Sequence, residues 1–173
     1  MKLVILNGYS GSGKSTLAFK FAKEHDFALI TQDHFLFRMN PSSLKTKLPN
    51  GFDHKIALQN LLSVTENYMK AEKDIVIEGA LVSITDVDPM DISDFVNLAE
   101  KYSYAIKIIT LVADEKVRKQ RQRKRGCVLK PHIDKKLVNA SKSQTISNHN
   151  YQLDTSKLTI KKSLEELENI INQ

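Results

Sequence analysis

Gly8-Tyr9-Ser10-Gly11-Ser12-Gly13-Lys14-Ser15 is the stretch on which the reading of this chain turns. It satisfies G-x-x-x-x-G-K-[ST] at every fixed position. The apolar run Leu3-Val4-Ile5-Leu6 precedes it and reads as a buried strand, and Gly13 to Glu24 follows as a helix. Strand, glycine-rich turn and helix is the context the pattern needs. Glycines let backbone N–H groups turn inward around phosphate oxygens without a Cβ clash. The helix start adds the positive end of its dipole. Lys14 supplies a point charge, and the Ser15 hydroxyl is a ligand for Mg²⁺. Gly8, Ser10, Gly11, Ser12, Gly13, Lys14, Ser15 and Thr16 are therefore the expected cradle of a nucleotide's phosphates.

Working outward, short β-like runs alternate with longer helical ones. Strands are expected over Phe27–Thr31, Asp74–Gly79, Ala105–Val112 and Gln152–Ser156. Helices are expected over His54–Lys70, Asp91–Lys101, Asp114–Arg125, Pro131–Ser141 and Lys161–Asn172, with a loop over Asn40–Gly51. Apolar strands separated by helical segments predict an α/β chain with a mostly parallel sheet and helices on both faces.

The chain has 173 residues, 41% hydrophobic and 27% charged, so one domain over 1–173 with an ordinary core is expected. Its one cysteine, Cys127, has no partner for an internal disulfide, and four-thiolate metal sites are excluded. A reducing, cytoplasmic setting follows as the expectation. No apolar run approaches the roughly 18 residues of a membrane span, and the N-terminal run is too short for a signal-peptide core. The formal charge of +6 equals the six basic residues of Arg118-Lys119-Gln120-Arg121-Gln122-Arg123-Lys124-Arg125. The basicity is local and needs a local reason.

Ligands of parallel α/β sheets bind beyond the C-terminal ends of strands. Asp33 and Glu78 stand at two such ends. Phosphoryl transfer to an alcohol needs a base for the attacking hydroxyl and carboxylates near Mg²⁺. Asp33 suits the first role and Glu78 the second. Asp74, at the start of its strand, falls on the opposite edge. No N-K-x-D stretch for reading guanine is present. Phe35 is a candidate to stack on a ring.

These segments resemble the P-loop nucleoside and metabolite kinases, the group holding uridine kinase and nicotinamide riboside kinase. Four stretches carry the resemblance: Gly8 to Ser15, Gln32-Asp33-His34-Phe35, Asn50-Gly51-Phe52-Asp53-His54, and Ile75-Val76-Ile77-Glu78-Gly79. They come in the family's order within about the first half of the chain. Gly51 is inserted between Asn50 and Phe52, and Lys55 stands in place of the family's proline. The chain also resembles small kinases related to polynucleotide kinase and zeta toxins. The resemblance implies a three-layer α/β/α P-loop kinase fold with five strands in the order 2-3-1-4-5, and ATP with Mg²⁺. It implies Asp33 as catalytic base and Mg²⁺ neighbour, Asp53 and Arg38 as acceptor-binding residues, and a basic lid near 114–126. In that lid Arg121 and Arg125, with Arg118 next, would reach the transferring phosphate.

Arg118, Arg121 and Arg125 share one helix face by their spacing. Three readings of the basic helix stand: a lid, a solvated face, and a grip on a nucleic-acid backbone. The function expected is transfer of phosphate from ATP to a hydroxyl of a small molecule. Polynucleotide 5′-kinase and a non-catalytic ATP-binding module are the alternatives. Monomer and homodimer are both open.

Overall fold

Five apolar runs become five strands in a computed structural model, which describes residues 1–38, 51–81, 92–126, 135 and 150–173. They are β1 (Lys2–Asn7), β2 (Ala28–Thr31), β3 (Ile75–Gly79), β4 (Ala105–Val112) and β5 (Asn150–Asp154). The order across the sheet is β2-β3-β1-β4-β5, and all four pairings are parallel. β1 lies at the centre, with Leu3 opposite Ile75 on one side and Ile106 on the other.

A parallel strand carries side chains to both faces, so both must be covered. Leu3 through Leu6 are fully buried. Leu3 and Ile5 join Ile75, Ile77, Ile108 and Phe95 on one face, and Val4 and Leu6 join Leu17, Phe21, Val76 and Leu167 on the other. The helices are α1 (Lys14–His25), α2 (Gly51–Lys70), α3 (Ser93–Lys101), α4 (Glu115–Lys124) and α5 (Ile160–Asn172). α2 and α3 supply Leu58, Leu61, Phe95 and Ala99 to the first face. α1 and α5 supply Leu17, Ala18, Phe21, Leu164 and Ile171 to the second. Each large apolar side chain so buried stabilises the fold by about 1.5–3 kcal/mol. The result is the α/β/α arrangement of a P-loop kinase fold, with the strand order implied by resemblance and a sheet that is wholly parallel among the described residues.

Some element limits differ from the sequence reading. α2 begins at Gly51, the last residue assigned to the preceding loop, three residues before its expected start. β5 stops at Asp154 instead of running to Ser156. The Asp154 carboxylate accepts from the Ser156 backbone N–H at 2.8 Å, a local turn that draws the chain off the ladder. α3 starts at Ser93. Apart from residue 135, the helix expected over 131–141 lies outside the described residues, as do Cys127 and Asp91. After β2 the chain makes one π-helical turn, His34–Arg38. At the opposite sheet edge Asp74 accepts from the Lys2 backbone N–H at 2.6 Å, as its place at a strand start implied.

Candidate functional site

The turn between β1 and α1 is shaped by what surrounds it. Gly8 has φ +142°, and a Cβ there would stand 2.5 Å from the Leu111 carbonyl oxygen of β4. Gly11 has φ +85°, and its Cβ would stand 2.8 Å from the Arg118 carbonyl oxygen of α4. Both positions need glycine for space as well as for backbone conformation. Gly11→Ala is expected to destabilise the protein by about 1–3 kcal/mol through its left-handed backbone alone. The backbone clash adds to that. Denaturant unfolding of the variant against the parent measures the loss.

Gly13 precedes α1 in a left-handed conformation and brings no capping side chain, and the first turn of α1 carries no acid. The amides that begin the helix are therefore not answered by a side chain of its own first turn. A helix start in that condition favours an anion.

The strand-end acids converge on this point. Glu78 lies level with Leu6 of β1 and with Thr31 of β2 in the ladder. It is only 3% exposed, and the Ser15 hydroxyl donates to its carboxylate at 3.1 Å. Burial pushes the Glu78 carboxyl above the ordinary carboxylate range. The Lys14 ammonium opposes that rise, and the negative charge of Asp33 adds to it. Asp33 itself is exposed, two residues past the end of β2. The structure thus brings Lys14, Ser15, Asp33 and Glu78 together at the C-terminal sheet edge. Phe35 packs partly buried against the core cluster that holds Ile5, Ile30 and Ile77, its ring 5.9 Å from that of His34. The side chains of Arg38 and Asp53 lie outside the described residues.

α4 meets the phosphate loop from behind. Arg118 is 3% exposed. Its guanidinium lies 4.4 Å from the centre of the Tyr9 ring and donates to the Ser10 carbonyl at 3.2 Å. Buried Gln122 donates to the same carbonyl at 3.1 Å. Arg121 donates to the Gly11 carbonyl at 3.2 Å, to the Thr155 hydroxyl at 2.9 Å and to the Thr155 carbonyl at 2.8 Å. The Thr155 hydroxyl donates to the Ser12 carbonyl at 2.7 Å. Burial lowers the Arg121 pKa, as does neighbouring Arg125, yet a guanidinium stays charged at any ordinary pH. Arg123, Lys124 and Arg125 are exposed. The basic run therefore has two faces: Arg118, Arg121 and Gln122 turned to the loop, the later cations to solvent.

A cleft of about 270 Å³ adjoins the loop, between α1, α4 and the segment leading from β5 into α5. Leu17, Leu158 and Ile160 give it apolar walls, and Arg121, Arg125 and Thr155 stand on its polar side. A flat ring joined to a polyphosphate is the kind of ligand such a cleft suits. The sequence reading did not foresee the work of Gln122 or Tyr9. One sign was available for Gln122, an uncharged residue one helical turn beyond Arg118 in a run of cations.

A family model described as an AAA domain matches residues 3–149. No curated protein matches the sequence. Among solved structures the chain is similar to a sugar kinase from Janibacter sp., at 18% identity and a TM-score of 0.75, covering 99% of this chain and 95% of that one. It is similar to a gluconokinase from Sinorhizobium meliloti, at 16% identity and 0.69, with 99% and 91% covered. It is also similar to the APS kinase of Mycobacterium tuberculosis in complex with AMPPNP and APS, at 15% identity and 0.64, with 99% and 100% covered. At these identities the likeness is one of fold.

Proposed function

The chain belongs to the AAA domain family, and from that premise we propose that it is a Mg²⁺-dependent ATP phosphotransferase acting on a hydroxyl of a small molecule. The observation that carries the proposal is the pairing of exposed Asp33 with buried Glu78 beside Lys14 and Ser15. A module that only binds nucleotide has no use for a base at the phosphate edge. The neighbours named as sugar kinase, gluconokinase and APS kinase support a small acceptor. A nucleoside or a related sugar-bearing metabolite is the acceptor class favoured by the four matching stretches.

The residues fit the groups that the reaction needs. The α1 amides and the Lys14 ammonium hold phosphate oxygens, and the cleft beside Leu17 and Thr155 takes the base. The Ser15 hydroxyl and the Glu78 carboxylate, with Asp33 near, form the oxygen donor set that a hard cation takes. Mg²⁺ bound there supplies neutralisation of the phosphate charge. Asp33 accepts the proton of the acceptor hydroxyl as its oxygen bonds to the terminal phosphorus. The bond from that phosphorus to the bridging oxygen breaks, and ADP leaves. Arg38 and Asp53 orient the acceptor, and Phe35 borders its ring. Arg125, exposed at the end of α4, closes toward the transferring group with Arg121 behind it. A reducing, cytoplasmic setting suits a chain with one cysteine, and no helix among the described residues is long and apolar enough to cross a membrane.

Exposed Arg123, Lys124 and Arg125 favour one second reading, a 5′-hydroxyl polynucleotide as acceptor. ADP release from Mg-ATP against nucleosides, riboside cofactor precursors, sugars, aminoglycosides and a 5′-hydroxyl oligonucleotide tests both. Stimulation by one small acceptor supports the proposal. Stimulation by the oligonucleotide alone replaces it with the polynucleotide kinase. A flat panel with ATP binding intact replaces it with a nucleotide-sensing module.

A further inference from the structure

Each carbonyl of the loop's outer turn has its own donor on the side away from the cradle. Ser10 receives Gln122 and Arg118, Gly11 receives Arg121, and Ser12 receives Thr155. In a trans peptide the carbonyl and the following N–H point in opposite directions. Fixing the Ser10 and Ser12 carbonyls outward therefore fixes the Gly11 and Gly13 N–H groups toward the other side, where phosphate would bind. The Ser12 N–H is engaged within the turn, to the Tyr9 carbonyl at 3.2 Å. Glycine-rich segments flip peptides readily because no Cβ opposes the rotation. A loop left to itself would lose time in conformers that aim carbonyls at the anion.

We propose that Gln122 and Arg118 are positioning residues, a brace that holds the phosphate loop's peptides in their anion-binding orientation before ligand arrives. The inference rests on the nucleotide reading above and adds residues that contact no substrate. Four features separate it from ordinary packing. Gln122 is 1% exposed and spends its amide on a loop carbonyl rather than on its own helix. Arg118 donates to that same oxygen while covering Tyr9. The loop and α4 are closely packed at Gly11 and Arg118, where a Cβ on the glycine would stand 2.8 Å from the Arg118 carbonyl oxygen. Arg121 and Thr155 border the base cleft, so the brace runs on from the phosphate half to the base half.

The test uses two isosteric variants, Gln122→Glu and Gln122→Met. Both delete the donor, and only the first adds a charge. Binding of ATP, inorganic tripolyphosphate and adenosine is measured for each by calorimetry or competition. The brace predicts a loss of about five- to tenfold for ATP and tripolyphosphate, with adenosine held within about twofold. A merely structural role would weaken all three ligands together, and that result overturns the proposal. Parent-like triphosphate affinity in a folded Gln122→Met overturns it as well, leaving the nucleotide reading intact. A parent protein that binds neither ATP nor tripolyphosphate overturns the nucleotide reading and the brace with it.

Discussion

Asp33→Asn is expected to lower turnover by about 10²–10⁴-fold while leaving ATP affinity within a few-fold of the parent. Asparagine keeps the size and hydrogen-bonding reach of the side chain. It removes the basicity that receives the acceptor's proton. Asp33 is exposed, so the fold should tolerate the change. The variant has a second signature. The negative charge of Asp33 helps push Glu78 upward, so its removal lets Glu78 ionise at lower pH. Single-turnover kinetics with the acceptor identified by the panel, beside a binding isotherm for ATP, separate the chemical loss from any loss of binding. Near-normal turnover would strike Asp33 from the mechanism.

Glu78→Gln is expected to move activity and stability in opposite directions. Turnover should fall roughly 10²-fold, since a charged oxygen facing the phosphate edge is lost. The unliganded protein at neutral pH should melt at a higher temperature than the parent. A carboxyl whose folded-state pKa is raised contributes its stability below its unfolded pKa, near 4.3, and loses it as pH rises through the folded value. At neutral pH the parent therefore bears the cost of an ionised, 3% exposed carboxylate, and glutamine does not. In acid below about pH 4 both side chains are neutral and the difference in melting temperature should vanish. Melting curves from pH 3.5 to 8 read this directly. A variant less stable than the parent at pH 7.5 would show that Ser15 and Lys14 more than offset the burial of the charge.

The strands were legible because β1 and β3 are short, nearly unbroken apolar runs with glycine or acid at their ends, and their order came from the family resemblance. Such runs fit a sheet covered on both faces and little else. The strand-end acids were legible for the same reason. Once β3 is placed, Glu78 falls at its C-terminal end with Ser15 in reach. α4 was another matter. Six cations in eight residues read as a lid, a solvated face or a grip on nucleic acid, yet Arg118 and Gln122 are among the most buried polar residues described. Their partners are main-chain carbonyls of a glycine-rich turn. Main-chain acceptors have no residue-type signature, so nothing in the sequence marks which helix face they will claim. The hold of Thr155 on the loop was hidden likewise, since the strand expected over Gln152–Ser156 took it in as one more strand residue.

The grip of Thr155 on the Ser12 carbonyl orders events during synthesis. The phosphate loop leaves the ribosome before most of what holds it, for β1 waits for partners about 70 and 100 residues later. Its last fastening waits for residue 155. A nascent chain halted before that point carries the whole loop sequence without the parts that shape it. With the nucleotide binding proposed above, affinity comes only once residue 155 has emerged, and a fragment stalled earlier would not sequester the ligand.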